Sequence, residues 1–168
     1  MPRKPLIAVV LLMGLLSGCA SRDFATSPTP ATVEGYHKAQ SVLFWDSVRL
    51  YRVGSVDFGL SHASHAPVNV NPGETTVQVI YMGNRGRAPG IDASFVRQTD
   101  PVSFNVVLKP GGRYQVLAEP GETTVRFRLI EQDTNTVLAS SSQVPVMWRP
   151  LPRPERQTVT IPVIIPSR

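Results

Sequence analysis

The stretch Thr124–Ile130 (TVRFRLI) indicates the fold class most directly, because its apolar and basic residues alternate. Successive side chains of a β-strand point to opposite faces, so Val125, Phe127 and Leu129 would share one face and the two arginines between them the other. This pattern is typical of a strand with one face on a core and the other in water. We therefore predict a half-buried antiparallel strand here.

The same alternation recurs along most of the chain. In Thr75–Met82 (TTVQVIYM), Val77, Val79 and Tyr81 fall on one face. Further strands are predicted at Ser47–Phe58 (with a turn or bulge at Gly54), Val102–Lys109, Arg113–Ala118, Thr136–Ser140 and Thr158–Ile165. The segment Tyr36–Trp45 fits either a short helix that leads into a strand or a strand alone. About seven to eight short strands predict an all-β protein, an antiparallel β-sandwich.

Proline–glycine pairs punctuate these segments at Pro72-Gly73, Pro110-Gly111 and Pro120-Gly121. Proline presets φ for the first turn position and glycine allows the positive φ of the next. Lys109–Arg113 (KPGGR) lies between two alternating segments and predicts a hairpin. The hexapeptide PGETTV occurs at 72–77 and again at 120–125. It indicates either a duplicated half-sandwich or, as we favour, one turn chemistry used twice.

The first nineteen residues have the layout of a secretory signal. Arg3 and Lys4 precede the uncharged run Leu6–Leu16, and two small residues then lead to Cys19. As a helix the run would span roughly 16 Å, about half of a bilayer core. A basic start, a short apolar run and small residues after it predict a signal peptide and not a transmembrane span.

The residues Leu16–Cys19 (LSGC) resemble the lipobox of bacterial lipoproteins at all four positions. The resemblance implies cleavage before Cys19, a diacylglyceryl thioether on its sulfur and acylation of the new amino terminus. Several acyl chains anchor a protein stably, whereas one anchors it marginally. The alternative is a free or buried thiol that follows an apolar run. In this family Asp after the cysteine favours the inner membrane, so Ala20 implies the outer membrane, with the domain expected to face the periplasm.

These observations predict a signal peptide over 1–18, a lipidated flexible tether over 19–35 and a β-sandwich domain over 36–168. The tether prediction rests on the Ser, Thr, Pro and Ala content of Ala20–Gly35. Cleavage would remove Arg3 and Lys4, leaving 15 basic against 12 acidic residues and lowering the net charge from +5 to +3. This charge is spread along the chain, so no nucleic acid is expected as a partner. The single cysteine excludes an intrachain disulfide and a multi-cysteine zinc site.

The only paired histidines are His62 and His65, in the sequence HASH. They could begin a metal site if Asp57 or Asp92 supplied a third ligand. The alternative, a polar loop between strands, is favoured because a stable site needs at least three ligands. We therefore predict no metal and no cofactor.

Gly83–Gly90 (GNRGRAPG) is rich in glycine but does not end in the Gly-Lys-Ser/Thr of a phosphate-binding loop. Its Arg85 and Arg87 are candidates for binding a partner or an anion, such as a lipid phosphate or a glycan. The alternative is an ordinary solvated loop, which we favour because charged loop tips are common.

Pro145–Pro154 (PVMWRPLPRP) has four prolines and predicts a polyproline segment that crosses the sandwich before the last strand. Trp148 and Arg149 are partner-binding candidates, since Trp and Arg are frequent at interface hot spots. The alternative is a rigid crossover with Trp148 packed on the domain.

A second, weaker resemblance comes from Val70–Val79, Leu108–Val116 and Asp133–Val137. Their turns and strands are similar to those of small surface lipoproteins with PEGA-like or transthyretin-like sandwiches. These families share no catalytic residues, so the resemblance implies none here. The chain also has no Gly-x-Ser-x-Gly elbow.

The function predicted from the sequence is a non-enzymatic interaction or assembly module of the cell envelope. It would be held at the outer membrane through the lipid on Cys19 and would bind an envelope protein. The alternative is an envelope ligand-binding protein for a metal ion or an anionic glycan or lipid headgroup. That protein would use His62 and His65, or Arg85 and Arg87. The sequence leaves the oligomeric state open.

Overall fold

Two β-sheets make up the described part of the chain, which comprises residues 22–41, 44–85 and 95–150 of a computed structural model. The all-β prediction is confirmed. The described residues form fourteen strands, more than the seven to eight predicted, because several have only two to four residues. The strands are β1 (Arg22–Asp23), β2 (Ala31–Glu34), β3 (Tyr36–Ala39), β4 (Phe44–Val53), β5 (Val56–Asp57), β6 (Val68–Val70), β7 (Gly73–Arg85), β8 (Phe95–Gln98), β9 (Val102–Leu108), β10 (Arg113–Pro120), β11 (Thr124–Glu131), β12 (Thr136–Ser140), β13 (Val144–Pro145) and β14 (Met147–Pro150); one short helix, α1 (Gly59–His62), follows β5.

Both sheets are built mainly from antiparallel pairs. Sheet A has the order β1-β6-β2-β10-β11-β12, with β13 also paired to β11. Sheet B has the order β14-β8-β7-β4-β3, with β5 paired to β4 and β9 to β7. Two pairs in sheet A, β1 with β6 and β10 with β2, run parallel.

The main core contains the residues that the alternation predicts. Val125, Phe127 and Leu129 of β11 are at most 1% exposed and belong to one cluster with Val77 and Val79 of β7. Side chains from the inner faces of both sheets meet in this cluster, as in a sandwich. The alternating pattern of TVRFRLI therefore identified its buried face correctly.

Strand β7 is also buried on its other face, which the sequence pattern did not indicate. Ile80 and Met82 are fully buried in a second, smaller cluster with Ala63 and Val96. Ala63 follows α1, and Val96 belongs to β8. Part of the outer face of sheet B is therefore covered by the segment that follows α1, while Val96 comes from the neighbouring strand of the same sheet.

The predicted hairpin at Lys109–Arg113 is wrong, because β9 belongs to sheet B and β10 to sheet A. The turn carries the chain from one sheet to the other. Gly111 has φ 69°, and the hydroxyl of the buried Tyr114 accepts a hydrogen bond from the Lys109 N–H at 2.7 Å. On the other side, the Thr32 N–H donates to the Gly112 carbonyl at 2.9 Å, which aligns β2 with β10. Two strands with alternating apolar residues on either side of Pro-Gly-Gly can form a corner between two sheets as well as a hairpin within one sheet.

The prediction of a flexible tether up to residue 35 is also wrong for its second half. Strand β2 lies inside sheet A between β6 and β10, and its Ala31 and Val33 are fully buried. The coil before it is fixed by Asn71, whose Oδ1 accepts the N–H groups of Thr26 and Ser27 at 2.9 and 3.0 Å. A four-residue strand between prolines and a glycine looks like a linker by composition, but burial decides its structure. The packed domain therefore begins before Tyr36.

The described residues of the ambiguous segment Tyr36–Trp45 include strand β3 and the start of β4, which pair antiparallel with His37 opposite Ser47. Gly54 lies in the turn between β4 and β5 with φ 57°, as predicted. The described part of Pro145–Pro154 crosses from sheet A to sheet B as predicted. It does so as strands β13 and β14 and not as polyproline helix. The strand predicted at Thr158–Ile165 lies outside the described residues.

The two copies of PGETTV have different secondary structures. Gly73 begins β7 with φ 118°, whereas Pro120 ends β10 and Gly121 lies in the turn before β11. One local sequence thus serves two different turns, and the copies do not mark equivalent halves of the sandwich.

Candidate functional site

A groove opens at one end of the sandwich, where the turn between β10 and β11 of sheet A meets β8 and β14 of sheet B. Its volume is about 820 Å³. It is lined by Arg97, Pro120, Gly121, Glu122, Thr123, Val146 and Trp148. The lining combines apolar side chains with one basic and one acidic residue, which is a suitable composition for a protein contact.

Arg97 holds this end of the sandwich together. It is buried, and its Nη2 donates to the carbonyl oxygens of Gly121 at 2.8 Å and Glu122 at 2.5 Å. Among the described residues its guanidinium has no carboxylate partner, so these charge-assisted bonds compensate for its burial. Because Arg97 belongs to sheet B and the turn to sheet A, the contact fixes the shape of the groove.

Trp148 lines the groove beside Arg97 on the same face of sheet B. In the β14–β8 pairing it lies directly across from Arg97, and it remains 40% exposed. The chain enters β14 through Val146, whose N–H donates to the Thr123 carbonyl at 2.9 Å. An exposed indole beside a fixed polar turn offers a large, rigid contact area. The structure therefore places the predicted Trp148 at a groove.

Arg149, the other candidate on this segment, is placed differently. Neighbouring side chains of a strand point to opposite faces, so Arg149 points away from the face of Trp148. Its Nη2 forms a surface ion pair with Asp100 Oδ1 at 2.8 Å. Arg149 is therefore engaged within the chain, and only Trp148 of the two lines the groove.

The histidines that pair in the structure are His37 and His65, and not His62 and His65 as expected from the sequence. The ring of His65 stacks on that of His37, with centroids 5.0 Å apart and planes 20° apart. His62 lies at the end of α1, with Nδ1 3.0 Å from Ser61 Oγ. Of the acids considered with them, Asp57 accepts hydrogen bonds from Arg52 and the Gly59 N–H, and Asp92 lies outside the described residues. The described residues hold no group of three His, Cys, Asp or Glu side chains that could bind a metal.

The Ser61–His62 contact does not form a catalytic pair. The two residues are neighbours on an exposed helix of four residues, and no described carboxylate contacts the imidazole. A serine nucleophile needs a base that a third group orients. We therefore assign no catalytic role to it.

Arg49 joins the stacked histidines on the outer side of sheet B. An isolated antiparallel bridge pairs Leu50 with Ser64, so Arg49 lies opposite His65. The N–H of Leu50 donates to the Ser64 carbonyl at 2.7 Å and fixes this loop on β4, and the N–H of Gly35 donates to the His65 carbonyl at 3.1 Å. The buried Nε of Arg49 has no hydrogen-bond partner.

Burial and nearby charge shift the pKa of Arg49 and of His65. Partial burial lowers the pKa of the Arg49 guanidinium. Partial burial, and then the nearby His37 and Arg49, lower the pKa of His65 below its ordinary value of 6.5, while Glu34 opposes the shift. Sequence reasoning missed this cluster because the loop that carries His65 returns to β4 only in the tertiary structure.

The remaining predicted residues are mostly beyond the described ranges. Cys19 and Arg87 lie outside them. Arg85 is the last residue of β7, where its backbone pairs with Phe44. Within the described part of the chain, no helix is long and apolar enough to cross a membrane.

Comparisons with known proteins give no relative. No family model matches the chain, and neither the curated proteins nor the solved structures contain a significant match.

Proposed function

We propose that this protein is a lipid-anchored, non-enzymatic interaction module of the bacterial cell envelope. Its anchor would be the acylated Cys19 at the outer membrane, with the domain facing the periplasm. The observation that carries the proposal is the groove at the end of the sandwich, where the half-exposed Trp148 faces the turn held by Arg97. The occupant of the groove would be a segment of an envelope protein.

The proposed mechanism is tethering. The lipid restricts the domain to the membrane surface, which raises the local concentration of the groove near a partner in the same envelope. The groove then needs only modest intrinsic affinity. Trp148 would supply most of it, because a buried indole contributes more contact energy than most side chains at an interface.

The anchor is tested by labelling cells with radioactive palmitate. We expect label on the wild-type protein and none on Cys19→Ser. Label retained by Cys19→Ser, or missing from the wild type, would contradict the lipid anchor.

The groove is tested by recovering crosslinked partners from envelopes with the lipidated protein. We expect Trp148→Ala to reduce recovery of the main partner at least about tenfold, the effect of losing a hot-spot side chain. Val107→Ala is the matched control, since Val107 is 64% exposed on β9 and outside the groove lining. Equal recovery with both variants, or no partner with the wild type, would refute the proposed groove.

The ligand-binding alternative has one observation in its favour, the basic cluster of Arg49, His37 and His65. An arginine without a carboxylate partner can bind an oxyanion through its planar guanidinium. Calorimetry with inorganic phosphate tests this function. Binding that Arg49→Gln abolishes and Arg52→Gln preserves would support it, because Arg52 of the same strand is already paired with Asp57. Flat titrations would remove the alternative.

A further inference from the structure

We infer that the surface formed by Arg22, Phe24 and Leu60, the anchor-proximal patch, lies against the lipid bilayer that holds the acyl chains of Cys19. This inference rests on the proposed function, because it needs the anchor. It adds an orientation: one part of the domain contacts lipid while the groove is presented to protein.

The patch is built around the buried ring of Phe58. Phe24 packs edge-to-face on Phe58 with ring centroids 5.9 Å apart, yet it remains 46% exposed. Leu60, two residues after Phe58 on α1, is 40% exposed. The Arg22 guanidinium carbon lies 5.7 Å from the Phe58 ring centre, and Nη1 donates to the His62 carbonyl at 3.5 Å. Phe24 and Arg22 thus both lie on the Phe58 ring, and the exposed Leu60 follows on the same short helix as His62.

Apolar contact, and not attraction between charges, would hold this patch at the bilayer. Arg22 and Arg52 are accompanied by Asp23 and Asp57, so the charge of this region is balanced. Asp57 pairs with Arg52, and Asp23 Oδ1 accepts the Ala25 N–H at 3.2 Å. Exposed Phe and Leu with a neighbouring Arg form the combination that inserts at the headgroup boundary of a membrane.

The chain between the lipid and the patch is short, and for this reason the surface that the patch contacts is the bilayer. Only residues 20 and 21 separate Cys19 from Arg22, so the connection reaches about 10 Å at full extension. The coil after β1 is bound to the domain through Asn71, which leaves it unable to act as a longer tether. Arg22 would therefore stay near the headgroups whenever Cys19 is anchored.

The strand register places the groove far from Arg22 along the strand direction. Arg22 pairs with Val68, Val68 with Val33, and Val33 with Tyr114. Pro120, in the groove lining, lies six residues further along β10, which corresponds to about 20 Å. The groove therefore opens well away from the anchor-proximal patch.

The test uses the full lipidated protein in vesicles of phosphatidylethanolamine and phosphatidylglycerol that contain a spin-labelled quencher lipid. A fluorophore is attached at Ser61→Cys beside the patch and, in the matched control, at Ser142→Cys. Both serines are exposed, and the introduced thiol is the only free one because Cys19 is a thioether. We expect quenching at position 61 to be at least about threefold that at position 142, since an interfacial segment lies within the headgroup and acyl boundary.

The patch side chains are tested in the same assay. Phe24→Ser combined with Leu60→Ser should reduce the difference between the two positions at least about twofold, since both substitutions remove apolar contact with the bilayer. Val107→Ser, an equally apolar change on an exposed strand, should leave the difference unchanged.

The possible results separate the two proposals. Equal quenching at both positions, with intact mass showing the lipid on Cys19, would overturn the inference and leave the anchor standing. A mass without the lipid would overturn the proposed function and the inference together. Strong quenching at position 61 that survives loss of Phe24 and Leu60 would also refute the role of the patch.

Discussion

Val33 decides whether the chain before Tyr36 is part of the fold, and its truncation gives a quantitative test. Val33 is fully buried in β2, between β6 and β10. Val33→Ala removes two methyl groups from a packed site and leaves a cavity. Each buried methyl-sized group contributes about 0.8 kcal/mol, and the cavity adds to the loss. We expect the free energy of unfolding to fall by about 2–3 kcal/mol.

The measurement is urea unfolding of the mature chain carrying Cys19→Ser, with fluorescence as the signal that monitors unfolding. The matched control is Val107→Ala, which removes the same groups from a side chain that is 64% exposed and should cost less than about 0.5 kcal/mol. A loss below about 0.5 kcal/mol for Val33→Ala would refute the packing of β2. It would restore the flexible tether that the composition predicts.

Three further perturbations address the corner, the loop and the histidine. Tyr114→Phe should cost about 1–2 kcal/mol in urea unfolding, because it leaves the Lys109 N–H without its acceptor; an unchanged midpoint would contradict the corner geometry. Gly35→Ala should cost about 2–3 kcal/mol in the free energy of unfolding, since its Cβ would lie 2.1 Å from the Val48 carbonyl oxygen. A wild-type melting temperature would show that the backbone around Gly35 can shift freely away from β4. The folded-state pKa of His65 lies below 6.5, so the unfolded chain binds more protons and stability should fall as the pH drops through 6.5. His65→Gln should flatten this dependence, and an unchanged pH profile would argue against the partial burial that lowers the pKa of the imidazole.

Local pattern predicted the core-facing side of β7 and β11. In β11 every second residue from Val125 to Leu129 is apolar, so these side chains share one face of the strand. A strand with this period buries its apolar face in whichever sheet it joins. The same reasoning failed at Lys109–Arg113, because a turn sequence does not specify which strand will accept the next hydrogen bonds. There β10 pairs not with β9 but with β2, some eighty residues earlier in the chain, and with β11.

The candidate site was predictable only in part. Trp148 drew attention through its prolines and its residue type, and the structure places it at the groove. Arg97, which shapes the groove, gave no signal, because its partners are backbone carbonyls of a turn on the other sheet. The contact between His37 and His65 was equally hidden, since it depends on a loop that returns to β4.

The sequence by itself determined the all-β class, because alternation is a property of the chain alone. It also supplied the LSGC motif, the basis for the proposed anchor. Only the tertiary structure decided where the domain begins, which sheet each strand joins and which side chains line the groove. The two PGETTV segments show the physical reason: Gly73 opens β7 and Gly121 lies in a turn. Identical local preferences were resolved differently by non-local hydrogen bonds and burial.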